Sequence, residues 1–119
     1  MEPKFAVIAL WADDVVKVAH FYRDVLRLKP LAHHDGSIHF VVDGTYLVIR
    51  EGHVTLVEAS KSSRFPLFAI AVDDLNERTD NLQKHDVALP WGIESNETSR
   101  WIMFNDPAGN LIELVQFHE

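Results

Sequence analysis

An internal repeat constrains the fold of this chain more than any other feature. An apolar stretch that ends in two aspartates, FAVIALWADD at residues 5–14, returns sixty positions later as FPLFAIAVDD at residues 65–74. Valine, isoleucine and phenylalanine favour buried strands, and an aspartate that follows such a strand is typical of a helix N-cap. Because both aspartate pairs recur with the repeat, we interpret them as caps rather than as catalytic carboxylates. The sequence therefore predicts two consecutive strand-to-helix units of the same design.

Each predicted helix is followed by three further strand-like runs. Turn signals such as Asp35-Gly36, Asp43-Gly44 and the segment 105–109 separate these runs. The predicted helices span 14–27 and 74–85, and the predicted strands that follow them span 28–34, 37–43, 45–51, 87–94, 99–105 and 111–117. Each half thus has the order β-α-β-β-β, which predicts an α+β fold. We expect one domain, 1–119, made of module one at about 1–51, a connector at about 52–64 and module two at about 65–119.

Composition and charge exclude several classes of function. The 119 residues are 47% hydrophobic and include no cysteine, which rules out disulfides, thiolate metal sites and thiol nucleophiles. The net charge of −7 argues against a nucleic-acid partner, because neutralising phosphates needs a basic surface. The longest apolar run, residues 5–12, is far shorter than the roughly 20 residues of a membrane span. We therefore expect no membrane partner and a cytoplasmic location.

Two segments carry a family resemblance. The helix DVVKVAHFYRDVL at residues 14–26 and the closing motif DPAGNLIEL at residues 106–114, set in two β-α-β-β-β modules, resemble the vicinal oxygen chelate superfamily. That superfamily contains glyoxalase I, extradiol dioxygenases, fosfomycin-modifying enzymes and bleomycin-resistance proteins. The resemblance implies that the eight strands form a cup-shaped mixed sheet with the helices outside and a ligand within. It also implies a homodimer.

The resemblance further implies a divalent metal bound by inward side chains of the first, fourth, fifth and eighth strands. Only Glu113, which follows the closing turn at the family's spacing, supplies a ligand at these places. The other three are Val7, Val48 and Leu67. Hydrocarbon side chains offer no lone pair, whereas a catalytic zinc keeps about three protein ligands. We therefore expect no metal and no other cofactor.

Strand alternation predicts what lines the cup instead. If the positions matching metal ligands face inward, the first and fifth strands present small or aromatic residues there: Val7, Ala9, Trp11, Leu67, Ala69 and Ala71. The seventh strand adds Ser99, Trp101 and Met103, and Trp91 and His39 are further candidates. Tryptophan faces and one carboxylate favour a planar or cationic organic guest. For each tryptophan, ordinary core packing remains an alternative.

Three classes of function stay open at this point: ligand binding, catalysis, and association through a domain whose pocket is vestigial. The favoured one is metal-independent binding of a small aromatic or cationic molecule, similar to bleomycin resistance, with no catalytic residue assigned. Its candidate ligand-binding residues are Glu113, Trp101, Met103, Ser99, Trp91, Trp11, His39, Val7, Val48 and Leu67. The alternative is a lyase, isomerase or dioxygenase, either metal-dependent with relocated ligands such as His39 and Glu113 or metal-free with Glu113 as acid and base. The charge of Glu113 is either paired with Arg50 or Arg100 or removed by protonation in a buried site.

Overall fold

The computed structural model describes residues 2–31, 38–53 and 64–118. The chain divides into two compact units, 1–55 and 56–119. The first unit contains β1 (Val7–Ala12), α1 (Val15–His20), a π-helical segment (Phe21–Val25), β2 (Lys29–Leu31), β3 (Ile38–Val42) and β4 (Thr45–Glu51). The second contains β5 (Ala69–Ala71), α2 (Leu75–Lys84), β6 (Glu94–Ser95), β7 (Ser99–Asn105) and β8 (Leu111–Phe117). These elements confirm the predicted α+β class and both β-α-β-β-β modules.

The two sheets share one topology. The first has the strand order β1-β4-β3-β2 and the second β5-β8-β7-β6. In each, the first strand of the module is parallel to the last, and the other neighbours are antiparallel. A parallel pair needs a crossover, which the module's helix and intervening strands supply. The repeat seen in the sequence is therefore a repeat of pairing as well. The single-domain organisation and the cup stay predictions.

Aspartate caps begin both α-helices, as the sequence predicts. The Asp14 carboxylate accepts from Lys17 N at 3.1 Å, and the Asp74 carboxylate accepts from Glu77 N at 3.1 Å. Each bond satisfies one of the backbone N–H groups that a helix start leaves without an intrahelical partner. Gln116 of β8 adds a second anchor for α2, because its Oε1 accepts from Leu75 N at 2.8 Å.

Each unit buries the apolar side chains of its helix against one face of its own sheet. In the first unit the buried side chains on this side include Leu10, Ala12, Val18, Tyr22, Leu26, Phe40, Leu47 and Ile49. In the second they include Leu75, Leu82, Ile102, Phe104, Ile112 and Leu114. The strand members of these sets alternate along the chain, so the residues between them point to the opposite face. That opposite face is where the sequence places the candidate site.

The predicted strand at 87–94 is wrong except at its end. Only Glu94 and Ser95 pair with β7, whereas residues 87–93 form turns and irregular backbone. Pro90 has no N–H to donate to a ladder, and Gly92 has a φ of +61° that strands do not use. β5 is also shorter than predicted, because only Ala69–Ala71 of the apolar run at 65–72 form a strand. The predicted turn at Asp35-Gly36, the end of the strand predicted at 28–34 and most of the connector lie outside the described residues.

In the described part of the chain, no helix has the length and apolarity needed to cross a membrane.

We predict that the turn between β7 and β8 depends on the buried Asp106 carboxylate. It accepts from Ala108 N at 3.0 Å and from Asn110 N and Nδ2, both at 2.9 Å. Asp106→Ala leaves these donors without their acceptor, so the free energy of unfolding should fall by about 2–3 kcal/mol in urea denaturation. The exposed Asp80 provides the control, since Asp80→Ala should change it by less than about 0.5 kcal/mol. Equal effects of the two variants would contradict this role.

Candidate functional site

One face of the second sheet brings several predicted site residues together. Glu113 in β8 lies between Ala69 of β5 and Met103 of β7, and Trp101 lies between Val115 of β8 and Glu94 of β6. Residues paired directly across strands project to the same face. We call this surface the carboxylate face, formed by Ala69, Ala71, Glu94, Trp101, Met103 and Glu113. The other face of the same sheet packs against α2.

The Glu113 side chain is half-buried, and its electrostatic environment disfavours the charge. Burial raises the pKa of this carboxyl above its usual range, and the nearby negative charge of Glu94 raises it further. Arg100 does not pair with Glu113, because it alternates onto the α2 side and donates to Asn76 Oδ1 at 2.9 Å. The direction of this shift agrees with a partly buried carboxyl that has no counter-ion among the described residues, and not with pairing to Arg100.

Arg64 and Glu94 form an ion pair that the sequence analysis missed. The Arg64 Nη1 and Nη2 atoms donate to the two Glu94 oxygens at 2.8 and 2.6 Å, and the two side chains are 14% and 24% exposed. The same guanidinium lies over Trp91, 4.6 Å from the ring centroid. We call these three residues the Arg64 clamp. Arg64 directly precedes the second copy of the repeat, which places it near the sheet, but no spacing rule identified Glu94 as its partner.

The Trp101 side chain carries a buried hydrogen-bond donor. Its Nε1 atom is buried and has no partner among the described residues, although buried indole N–H groups usually find one. Ser99 differs, because its hydroxyl donates to Asn96 Oδ1 at 3.1 Å in the turn before β7. Leu67 precedes β5 and is 59% exposed, with its N–H bonded to Leu111 O at 2.8 Å.

The remaining predicted residues share one face of the first sheet. Val48 of β4 lies between Ala9 of β1 and His39 of β3, and Val7 and Trp11 alternate with Ala9 onto the same side. Val48 is buried, whereas Val7 and Trp11 are more than half exposed. The indole of Trp11 packs on the backbone of Gly52, where an added Cβ would lie 2.5 Å from Trp11 Cε3.

The side chains present do not fit a divalent ion at the positions that the resemblance implies. Val7 and Val48 on the first sheet and Leu67 just before β5 offer no lone pair, which leaves Glu113 as a single ligand. Nor do the described residues include any group of three or more histidines, aspartates or glutamates that could hold a metal.

A separate cavity of about 560 Å³ lies at the carboxyl ends of β5 and β8. It shares Ala71 with the carboxylate face but includes neither Glu113 nor Trp101. Its lining residues are Ala71, Val72, Asp73, Arg100, Gln116, Phe117 and His118. This cavity is thus distinct from the predicted site.

The raised pKa of Glu113 predicts how stability depends on pH. Between 4.5 and the raised pKa, the folded state binds more protons than the unfolded state, so the free energy of unfolding falls as pH rises through this window. Glu113→Gln should therefore be more stable than the wild type at neutral pH in urea denaturation, and the gain should disappear below 4.5. Asp80→Asn, which removes an exposed carboxylate, should give no such gain. A wild type as stable as Glu113→Gln at neutral pH would contradict the assignment.

Comparison with known proteins extends the argument from the site to the whole chain. The Glyoxalase/Bleomycin resistance protein/Dioxygenase superfamily model matches residues 4–114. A lactoylglutathione lyase structure from Agrobacterium tumefaciens is 19% identical, with a TM-score of 0.73 over 98% of this chain and 95% of that chain. A glyoxalase/dioxygenase from Nostoc punctiforme is 21% identical, with a TM-score of 0.79 over 98% and 92%.

An antibiotic-binding protein from a Streptomyces species is 23% identical, with a TM-score of 0.75 over 98% of each chain. At these identities the three structures show a shared fold and nothing about the ligand. The family match covers the repeat, both modules and the closing motif through Glu113. The chain is a member of the Glyoxalase/Bleomycin resistance protein/Dioxygenase superfamily.

Proposed function

We propose that this protein reversibly binds a small aromatic cation on the carboxylate face and does so without a metal ion. The observation that supports the proposal is the half-buried Glu113 carboxylate, which shares that face with Trp101. An unpaired carboxylate in such a position loses hydration without gaining a counter-ion, so a cationic ligand that supplies one is stabilised there. The aromatic face of a tryptophan adds cation–π attraction.

Metal independence is supported by the donor set. Val7, Val48 and Leu67 replace ligands with hydrocarbon, and one carboxylate does not hold a divalent ion tightly. The same hydrocarbon surface suits the apolar part of an organic molecule. The homodimer and the cytoplasmic location expected from the sequence belong to this proposal.

The relatives divide between the two functions. The Streptomyces relative is an antibiotic-binding protein, which agrees with a binding role, whereas the Agrobacterium relative is a lactoylglutathione lyase. A metal-dependent lyase, isomerase or dioxygenase needs more ligands than Glu113 and His39 provide. The donor chemistry therefore favours binding over metal-dependent catalysis.

Ligand binding can be tested with two probes that differ by one methyl group and one positive charge, 4-phenylpyridine and its N-methyl cation. At a slightly alkaline pH the first is neutral and the second carries one positive charge. We predict that the cation quenches tryptophan fluorescence, that Trp101→Ala abolishes binding, and that Glu113→Gln weakens cation binding by about five- to tenfold. Binding of the neutral probe should not weaken in Glu113→Gln.

Asp80→Asn is the matched control, because it removes one exposed negative charge from α2. It should change the affinity for the cation by less than about twofold. Equal affinity of the wild type and Trp101→Ala would remove the site assignment. Equal loss of cation affinity in Glu113→Gln and Asp80→Asn would show that only the net charge of the protein matters.

Metal analysis of the purified, untagged protein separates the two functions. We predict that no divalent ion is present at one equivalent per chain and that added zinc or manganese does not raise the midpoint of thermal unfolding. A stoichiometric ion that is lost in Glu113→Gln would overturn metal independence and favour the enzyme. Elemental analysis by mass spectrometry is a sufficient readout.

A further inference from the structure

The Arg64 clamp pairs one of the two carboxylates on the carboxylate face, Glu94, with a positive charge. Both oxygens of Glu94 accept from one guanidinium, in the two-point geometry that arginine forms with carboxylates. Both side chains are at least three-quarters buried, so water screens this pair less than a surface pair. Glu94 therefore carries a compensated charge.

Glu113 lies on the same face but differs from Glu94 in its counter-ions. Among the described residues no lysine, arginine or histidine forms an ion pair with it, and its strand neighbours Ala69 and Met103 are uncharged. After burial, the second cause that raises the pKa of Glu113 is the charge of Glu94, one strand beyond Met103, so the pairing with Arg64 reduces this charge without cancelling it. The carboxylate face thus holds two carboxylates, of which Glu94 is paired with the guanidinium of Arg64 and Glu113 has no counter-ion among the described residues.

We propose that Arg64 is a specificity-determining residue, which occupies Glu94 and so restricts the carboxylate face to ligands that carry one positive charge. The inference rests on the proposed function and narrows its ligand class to aromatic monocations. Arg64 also fixes Trp91 beside Glu94, since its guanidinium contacts both. Without Arg64, the two carboxylates would together favour a dication.

The first test needs no ligand and follows the Glu113 carboxyl by NMR titration of the intact protein. Arg64→Gln exposes the Glu94 charge, so the pKa of Glu113 should move above its wild-type value. Glu94→Gln removes that charge, so the pKa of Glu113 should move below its wild-type value. Arg64→Lys keeps the positive charge, so the pKa of Glu113 in this variant should lie closer to the wild-type value than it does in Arg64→Gln.

Lys84→Gln is the matched control, because it removes one positive charge from the exposed end of α2. It should leave the titration of Glu113 unchanged. If Arg64 only stabilised the fold, Arg64→Gln and Glu94→Gln would not shift the pKa of Glu113 in opposite directions. Coincident titrations of the wild type, Arg64→Gln and Arg64→Lys would overturn the inference.

The second test measures charge preference with N-methyl-phenylpyridinium and methyl viologen, which have similar shapes and carry one and two positive charges. In Arg64→Gln the affinity for methyl viologen relative to the monocation should rise by about fivefold, and in Lys84→Gln it should not change. Should Arg64→Gln fail to fold, Arg64→Lys and Glu94→Gln carry the test, with Glu94→Gln lowering the relative affinity for the dication.

The two proposals fail in different ways. If neither probe binds the wild type, the proposed function is wrong, and this narrowing of its ligand class is wrong with it. If the monocation binds but the variants keep the wild-type preference, the role of Arg64 is wrong while the proposed function stands.

Discussion

The structure depends on strand alternation in the two parallel pairs, β1 with β4 and β5 with β8. In each module the helix needs an apolar surface, and every second residue of the paired strands supplies it. The intervening residues are thereby forced onto the opposite face, whatever their chemistry. Glu113 is half-buried on that face because its neighbours in sequence, Ile112 and Leu114, are fully committed to the core. Core packing and the candidate site thus use alternate positions of the same strands.

Much of the fold could be predicted because its determinants are local. The Asp14 and Asp74 caps and the strands at 99–105 and 111–117 follow from residues adjacent in sequence. The strand predicted at 87–94 is wrong because Pro90 and Gly92 prevent regular pairing despite the apolar residues around them. The face of Glu113 was predictable from alternation and family resemblance. Its electrostatics was not, because Arg64 and Glu94 are thirty positions apart and meet only through tertiary structure.

An energetic conflict accompanies the candidate site. Burial and the Glu94 charge both disfavour ionised Glu113, so the residue destabilises the folded protein at neutral pH relative to an uncharged analogue. The indole N–H of Trp101 is likewise buried without a partner in the described residues. Buried charged or polar groups that lack a partner within the fold are commonly found where a ligand supplies that partner. These two lie on one face of one sheet, opposite the side that packs against α2.

The contact between Trp11 and Gly52 makes one face of the first sheet sensitive to substitution at residue 52. The resting place of the indole is set by a residue that has no side chain and that lies just beyond the last strand of the first sheet. One methyl group there would displace the ring while the hydrogen bonds of all four strands persist. A substitution at residue 52 can therefore change the contour of this face while leaving the hydrophobic interior and the strands of the first module in place.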